Sequence, residues 1–287
     1  MPSYTIRLLE EYEDMLRIEK LIDDIWHGGP ADAVPAHILI TFVHNGGLAF
    51  GAFTSDDEMV GLAFGFPGFH DTPQGRLLKH CSHQMGVHPD HRGHGLGFAL
   101  KKAQWQMVRQ QGIDLITWTY DPLLSPNAYL NIGRLGAVCN TYNREEYGIM
   151  LDALNAGLAS DRFVVDWWVN TRRVTQHLDE ENYVRISLDD YRKADTQQLY
   201  IPETHTDSGL LRPPQIYFPP ERKLVLLPIP NNFQTMRSVD LPLARDWRFF
   251  TRDVFEEAFN AGYIVTDFVY DHDDCYYVLT DGNSLIG

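Results

Sequence analysis

His83-Gln84-Met85-Gly86-Val87-His88-Pro89-Asp90-His91-Arg92-Gly93-His94-Gly95-Leu96-Gly97 is the stretch on which the fold turns. An apolar strand runs into a glycine-rich loop, and an amphipathic helix follows directly behind it. Gly93, Gly95 and Gly97 let the backbone turn sharply and expose several N–H groups. The helix adds the partial positive charge of its N-terminus. Together these predict a pocket for phosphates, and a polyphosphate ligand is the first expectation.

Working outward, Tyr4–Leu9 reads as a first strand. Tyr12 to Trp26 carries Met15, Ile18, Ile22 and Ile25 at helical spacing, and Gly28-Gly29-Pro30 stops that helix. Pro35 opens a second, short helix through Phe42 and Val43. Leu48–Phe53 and Met59–Phe66 form a hairpin with its turn at Ser55-Asp56-Asp57-Glu58, and His80–Val87 is the next strand. Gly97 to Gln111 is a helix with Leu100, Trp105 and Val108 on its apolar side. Asp114–Tyr120 is a buried strand. A short helix follows, with Ser125 as N-cap, Pro126 at its first position and Gly136 as its stop. Val138–Met150 and Arg162–Val169 supply further strand-like material.

From about Tyr191 to Glu221 periodicity fades and prolines accumulate, which predicts irregular structure. Order returns with the strand Lys223–Ile229 and the helix Leu243–Ala261, whose stripe is Leu243, Trp247, Phe250, Val254 and Ala258. The strands Tyr263–Tyr270 and Tyr276–Thr280 close the pattern, with a turn at Asp271-His272-Asp273-Asp274.

The 287 residues suffice for one elaborated domain or two smaller ones, and 44% hydrophobic with 22% charged residues is ordinary for a globular chain. The longest apolar runs, such as Leu224–Ile229, are too short to cross a bilayer, and the start shows no export signal. Three widely spaced cysteines form no disulfide framework, and a reducing cytoplasm fits best. The net charge of −15, with 24 basic residues against 39 acidic ones, argues against a nucleic-acid partner. It serves solubility first and mildly favours a cationic amine substrate.

The loop fits R-x-x-G-x-G, a weak pattern by itself. It lacks the Gly-Lys-Ser/Thr ending of a P-loop and the glycine spacing of a dinucleotide fingerprint. Gly86 to Gly97, however, closely resembles motif A of the GNAT acyltransferases, V-x-P-x-x-R-G-x-G-(I/L)-G. The surrounding order of elements agrees, from Tyr4 to Val169. The resemblance implies an α/β (α+β) fold: a mixed, mostly antiparallel central sheet flanked by helices over residues 1–170. Residues 171–287 would form a smaller α/β C-terminal subdomain. It also implies that the N–H groups of Arg92, Gly93, His94, Gly95, Leu96 and Gly97 hold the pyrophosphate of acetyl-CoA or another acyl-CoA. Gly86 and Val87 would pair with the pantetheine arm, in a gap where this strand splays from Asp114–Tyr120.

Many family members carry a Tyr four residues before the Gly of a Leu-Gly pair, and here that position is Ile132. The usual general acid is therefore missing or supplied elsewhere. Asn127 and Asn131, one helical turn apart, are candidates to reach the cofactor's amides, Asn131 ahead of Asn127 because a mid-helix Asn is unfavourable without a partner. His83 is the candidate base. It lies nine residues before Arg92, where the arylalkylamine branch of the family has a catalytic histidine. Strand alternation sets it on a face with Cys81 and Met85, opposite Ser82 and Gln84. The competing reading is a histidine satisfied inside the sheet, and His80 is second choice as base.

His88, His91 and His94 read as solvent-facing or phosphate-adjacent rather than metal ligands, and no metal is expected. Asp271–Asp274 reads as a turn rather than a cation site. Trp118 and Tyr120 are acceptor-pocket candidates or, as strand aromatics usually are, core. Ser160-Asp161-Arg162 reads as a surface ion pair ahead of a polar clamp. The expectation is an N-acyltransferase acting by direct transfer on a small-molecule amine, with Val87 N–H as oxyanion donor. The alternative is a non-catalytic acyl-CoA-binding module. For the C-terminal part three roles stay open: a degenerate second half-domain, a cover over the acceptor pocket, or a homodimer contact.

Overall fold

The structure, a computed structural model, describes residues 3–26, 34–148, 157–204, 209–271 and 274–282. The expected helix stop at Gly28-Gly29-Pro30 and the middle of the Asp271–Asp274 turn lie outside the described residues. The chain forms two compact units. The first takes in the described residues up to Trp118 together with Trp167–Thr175, and the second takes in the rest.

The first unit opens with β1 (Thr5–Leu8), α1 (Tyr12–Trp26) and α2 (Ala36–His44). β2 (Leu48–Phe53), β3 (Met59–Thr72) and β4 (Gly75–Val87) follow, then α3 (Leu96–Gln110) and β5 (Leu115–Tyr120). β1 to β4 are antiparallel neighbours in chain order, and β4 pairs with β5 in parallel. Met15, Ile18, Leu21, Ile22 and Ile25 of α1 and Leu39 of α2 pack with Ala49, Phe53, Leu62 and Phe64, covering one face of the sheet. α3 covers the other: a Cβ on Gly61 of β3 would stand 3.2 Å from Leu100 Cδ1.

The β3–β4 hairpin runs much further than the sequence predicts, from Gly61↔Val87 out to Thr72↔Gly75. Pro67 and Gly68, beyond the expected strand end at Phe66, stay in the ladder, since proline is tolerated where the ladder does not need its N–H. The β2–β3 turn is as expected, with Asp57 in the left-handed region at φ 61°.

The second unit holds α4 (Ser125–Ala128), continued as a π-helical turn over Tyr129–Arg134, then β6 (Val138–Asn143) and β7 (Arg162–Trp168), whose last two residues count with the first unit. α5 (Arg172–Leu178) spans the division between the units. α6 (Leu188–Lys193), β8 (Thr196–Gln198), β9 (Glu203–Thr204) and β10 (Leu211–Arg212) come next. β11 (Leu224–Ile229), α7 (Phe233–Val239), α8 (Leu241–Asn260), β12 (Tyr263–Asp271) and β13 (Asp274–Asp281) end it. Ser125 does not cap its helix: Leu124 is the N-cap, and Ser125 Oγ donates to the Asn231 carbonyl at 2.7 Å. Gly136 does stop it, at φ 72°.

The sheet of this unit runs β7-β6-β12-β13-β11-β8. β13 lies between β11 and β12, so the β11–α8–β12 crossover skips a strand and does not repeat the adjacent β4–α3–β5 arrangement. Asp161 is fully buried and takes both Arg252 Nε and Nη2 at 2.8 Å, with Tyr142 OH donating at 2.8 Å. The surface ion pair expected there is thus an interior one. Burial alone would raise the Asp161 pKa, but these donors and the Glu145 N–H hold it below the usual carboxylate value.

Candidate active site

The loop is built from backbone. A 3₁₀ turn over Pro89–His91 leaves β4, with His88 Nδ1 accepting the Asp90 N–H. Gly93 and Gly95 then take φ of 81° and 76°, a left-handed geometry that glycine reaches without strain. Gly95 is the N-cap of α3, and having no side chain it cannot cap the helix. The N–H groups of Gly93, His94, Gly95, Leu96 and Gly97 donate to no acceptor among the described residues. A Cβ on Gly93 or Gly95 would meet nothing within 4 Å. This is an open cradle of donors at a helix N-terminus, the arrangement that suits phosphate oxygens. Arg92 is exposed and its Nε donates to the Val87 carbonyl at 3.0 Å, bracing the loop. His91 Nδ1 lies 3.0 Å from Tyr4 OH, and His94 is exposed beside the same ring. Among the described residues no group of three His, Cys, Asp or Glu converges.

Beside this cradle the sheet forks. β4 and β5 pair only at His80↔Ile116 and Cys81↔Thr117, although β4 runs on to Val87. The His88 N–H bonds the Val60 carbonyl, so by antiparallel alternation Gly86 and Leu62 face each other's backbone. The backbone groups turned toward the fork therefore belong to Met85 and Val87, and of these the Val87 carbonyl already accepts from Arg92 Nε. Gly86, named for such pairing from the sequence, instead serves packing: a Cβ there would stand 2.5 Å from Trp26 of α1.

Opposite Phe64 and Gly65 the register of β4 slips, with Phe64↔Gln84 followed by Gly65↔Ser82. His83 is the extra residue of a β-bulge. Its ring lies 5.4 Å and 5.9 Å from those of Phe64 and Phe66, on the face covered by α1 and α2. The bulge breaks the alternation, so Gln84 shares that face and Met85 does not, contrary to the simple reading. Ser82 is opposite His83, as expected. His83 is exposed at its edge, and partial desolvation lowers its pKa from 6.5, leaving a neutral imidazole at physiological pH. The neighbouring Gln84 Oε1 is buried with no partner among the described residues.

On the α3 face a buried polar group stands where the helical stripe should be apolar. Lys101 and Gln104 are buried at positions that periodicity assigns to the core. Lys101 Nζ donates to Ser82 Oγ at 2.7 Å and to Gln104 Oε1 at 3.2 Å, and stands 3.7 Å from the centre of the Trp118 ring. Desolvation brings its pKa down to about 7. Gln104 Nε2 in turn lies 3.1 Å from His80 Nε2. His80 is fully buried, and desolvation, with the Lys101 charge, lowers its pKa to about 3. It is a core histidine and cannot serve as an accessible base. The sequence shows this group only as a Lys and a Gln at i, i+3 within an apolar stripe.

Asn127 and Asn131 belong to the second unit. Asn127 is exposed, whereas Asn131 is 5% exposed and its side chain bonds no group among the described residues. The π-helical turn separates the two in environment. Ile132 beside it is fully buried, and so is Tyr120, whose OH lies 3.1 Å from Tyr277 OH. Tyr120 is thus a core residue, and Trp118, half-buried, is the ring beneath Lys101.

Residues 9–128 match the family model described as "Acetyltransferase (GNAT) family". No curated protein matches the chain. Among solved structures it is similar to an Arabidopsis thaliana NAA60 in complex with acetyl-CoA, at 15% identity and a TM-score of 0.47, over 59% of this chain and 100% of that one. The ribosomal-protein-S18-alanine N-acetyltransferase from Escherichia coli aligns at 17% identity and a TM-score of 0.43, over 59% and 96%. An aminoglycoside acetyltransferase from an uncultured soil metagenomic sample, in complex with sisomicin, aligns at 14% identity and a TM-score of 0.37, over 44% and 81%. The strand, the glycine cradle, the helix and the forked sheet all lie within residues 9–128, the segment that carries the GNAT acetyltransferase domain match.

Proposed function

We propose that this protein is an acyl-CoA-dependent N-acyltransferase that moves an acyl group, acetyl first among the candidates, directly onto an amine of a small molecule. The observation that carries the reading is the set of undonated N–H groups from Gly93 to Gly97 opening onto the β4–β5 fork. The cradle takes the pyrophosphate of the CoA substrate. The fork-facing groups of Met85 take the pantetheine arm. The Val87 N–H polarises the thioester carbonyl. His83 takes the ammonium proton of the acceptor before the nitrogen attacks, a role that suits a neutral, partly desolvated imidazole. Gln84 Oε1 beside it is an acceptor for an amine N–H. Residues 1–170 act as the acyl-CoA domain, with 171–287 as an extension.

Thermal shift with acetyl-CoA, CoA and ATP tests the ligand class. Stabilisation by the CoA species is expected, and stabilisation by ATP alone sinks the proposal. Thiol release against a panel of amines then tests turnover. The second reading, a binding module that recruits a partner, is favoured by Ile132, which is buried and has no proton to give. Tight CoA binding with no thiol release against any amine selects it.

A further inference from the structure

The last paired position of β4 and β5 is Cys81↔Thr117, so the fork opens between Ser82 and Trp118. Lys101 Nζ sits at that point from the α3 side, bridging Ser82 Oγ at 2.7 Å and the Trp118 ring at 3.7 Å. A lysine there is costly. It is 2% exposed, and the groups facing it are Gln104 on its own helix, His80 and Ser82 on β4, and Trp118 on β5. No carboxylate pairs with it among the described residues, and its charge helps keep His80 neutral, so no neighbour offsets it. A methionine or leucine would fill the position without that cost. His83 occupies the opposite face of the same strand, one residue along. A base on one face and a proton-bearing cation on the other thus flank the opening.

We propose that Lys101, acting through Ser82 Oγ, supplies the proton taken up by the departing CoA sulfur, the role left vacant by Ile132. The inference rests on the acyltransferase reading above. In the step the amine nitrogen bonds the thioester carbon, the C–S bond breaks, and its electron pair goes to sulfur. The sulfur takes the Ser82 hydroxyl proton, and Ser82 Oγ takes one from the Lys101 ammonium, leaving a neutral amine. His83 passes the ammonium proton to solvent before the attack and then takes the second proton that the nitrogen sheds as the amide forms, and solvent restores His83 and Lys101 after product release. Lys101 is a positioning residue in this scheme, and Ser82 is the group that meets the sulfur. The titration of Lys101 near neutrality lets its amine both give and regain a proton at working pH.

The test compares full-length wild type, Lys101→Met and Ser82→Ala, each checked for folding by circular dichroism and for CoA binding by calorimetry. In wild type kcat should fall as pH rises through the Lys101 titration, because the acid is lost. In both variants kcat should drop on the order of 10²-fold with KM for acetyl-CoA little changed, and that alkaline limb should vanish. A second readout needs no acceptor. The thiol of bound CoA, followed by thiolate absorbance, should ionise at lower pH in wild type than in Lys101→Met. Should Lys101→Met fail to fold, Ser82→Ala carries the kinetic test alone. Identical pH–rate profiles and identical thiol titrations in proteins that bind CoA overturn this inference and leave the acyltransferase reading standing. A wild type that binds no CoA, or never releases it with any amine, overturns that reading and this inference with it.

Discussion

At His83 a single extra residue in β4 decides which way an imidazole points. Strand alternation alone pairs it with Met85, whereas the bulge sets it beside Gln84, against Phe64 and Phe66. His83→Gln should lower kcat/KM about 10²-fold and remove the acid limb of the pH–rate profile, which lies below 6.5 because desolvation lowers the pKa. An unchanged profile in that variant eliminates His83 as the base. Three residues away, His80 makes a different prediction. Its pKa falls from 6.5 in the unfolded chain to about 3 in the fold, so the unfolded state binds the extra proton between those values. Stability to urea should therefore be lost as pH falls from 6.5 towards 3, by up to about 1.4 kcal/mol per pH unit from this group. His80→Gln should flatten that slope, and an equally steep loss in the variant would refute the assignment. Both histidines were visible as candidates in the sequence. Their faces and burial were not, because a bulge leaves no mark on the pattern of residues and depends on the partner strand.

At the scale of the element, the strand–loop–α3 unit was legible almost whole. Glycines at alternate positions have few uses other than left-handed turns, and the helix behind them is strongly patterned. The misreadings around it share one cause. Lys101 and Gln104 sit on the buried stripe of α3, where periodicity expects apolar side chains, because their partners Ser82, Trp118 and His80 come from strands distant in the chain. Ser125 has the right type for a cap, yet a tertiary bond to Asn231 takes its hydroxyl. Gly95→Ala tests the loop itself. Alanine at φ 76° costs about 1 kcal/mol of strain, and its methyl group points into the donor cradle, where it meets no protein atom within 4 Å. The expected result is a small fall in thermal stability with CoA binding weakened about tenfold or more, the equivalent of ~1.4 kcal/mol. Unaltered CoA affinity in calorimetry would show that the pyrophosphate lies elsewhere.

Across the whole molecule, the two compact units keep their polar interiors in different ways. The second relies on charge pairs: Asp161 with Arg252, and Asp121 with Arg248, whose Nε and Nη1 are buried without partners among the described residues. Asp161→Asn leaves Arg252 without its counter-charge and should cost about 3 kcal/mol in urea unfolding. A loss within experimental error would mean that water reaches the pair. The class of this C-terminal region was legible from its strand and helix patterns, but not its sheet order. Two strands held apart by a third, as β11 and β12 are by β13, read in sequence as two that touch.

One consequence of the left-handed N-cap at Gly95 reaches beyond affinity. A helix normally borrows its first hydrogen-bond acceptor from its own chain, and α3 has none to borrow. Its substrate becomes its cap, so the first turn should be only partly held until the ligand arrives. Amide hydrogen exchange at Gly93–Gly97 should be fast in the free protein and slow markedly with CoA, and with inorganic pyrophosphate alone, while the Leu100–Val108 amides change little. Uniform protection along α3 before and after binding would refute this. If it holds, the opening turn of the helix is a local folding step that each catalytic cycle completes and undoes.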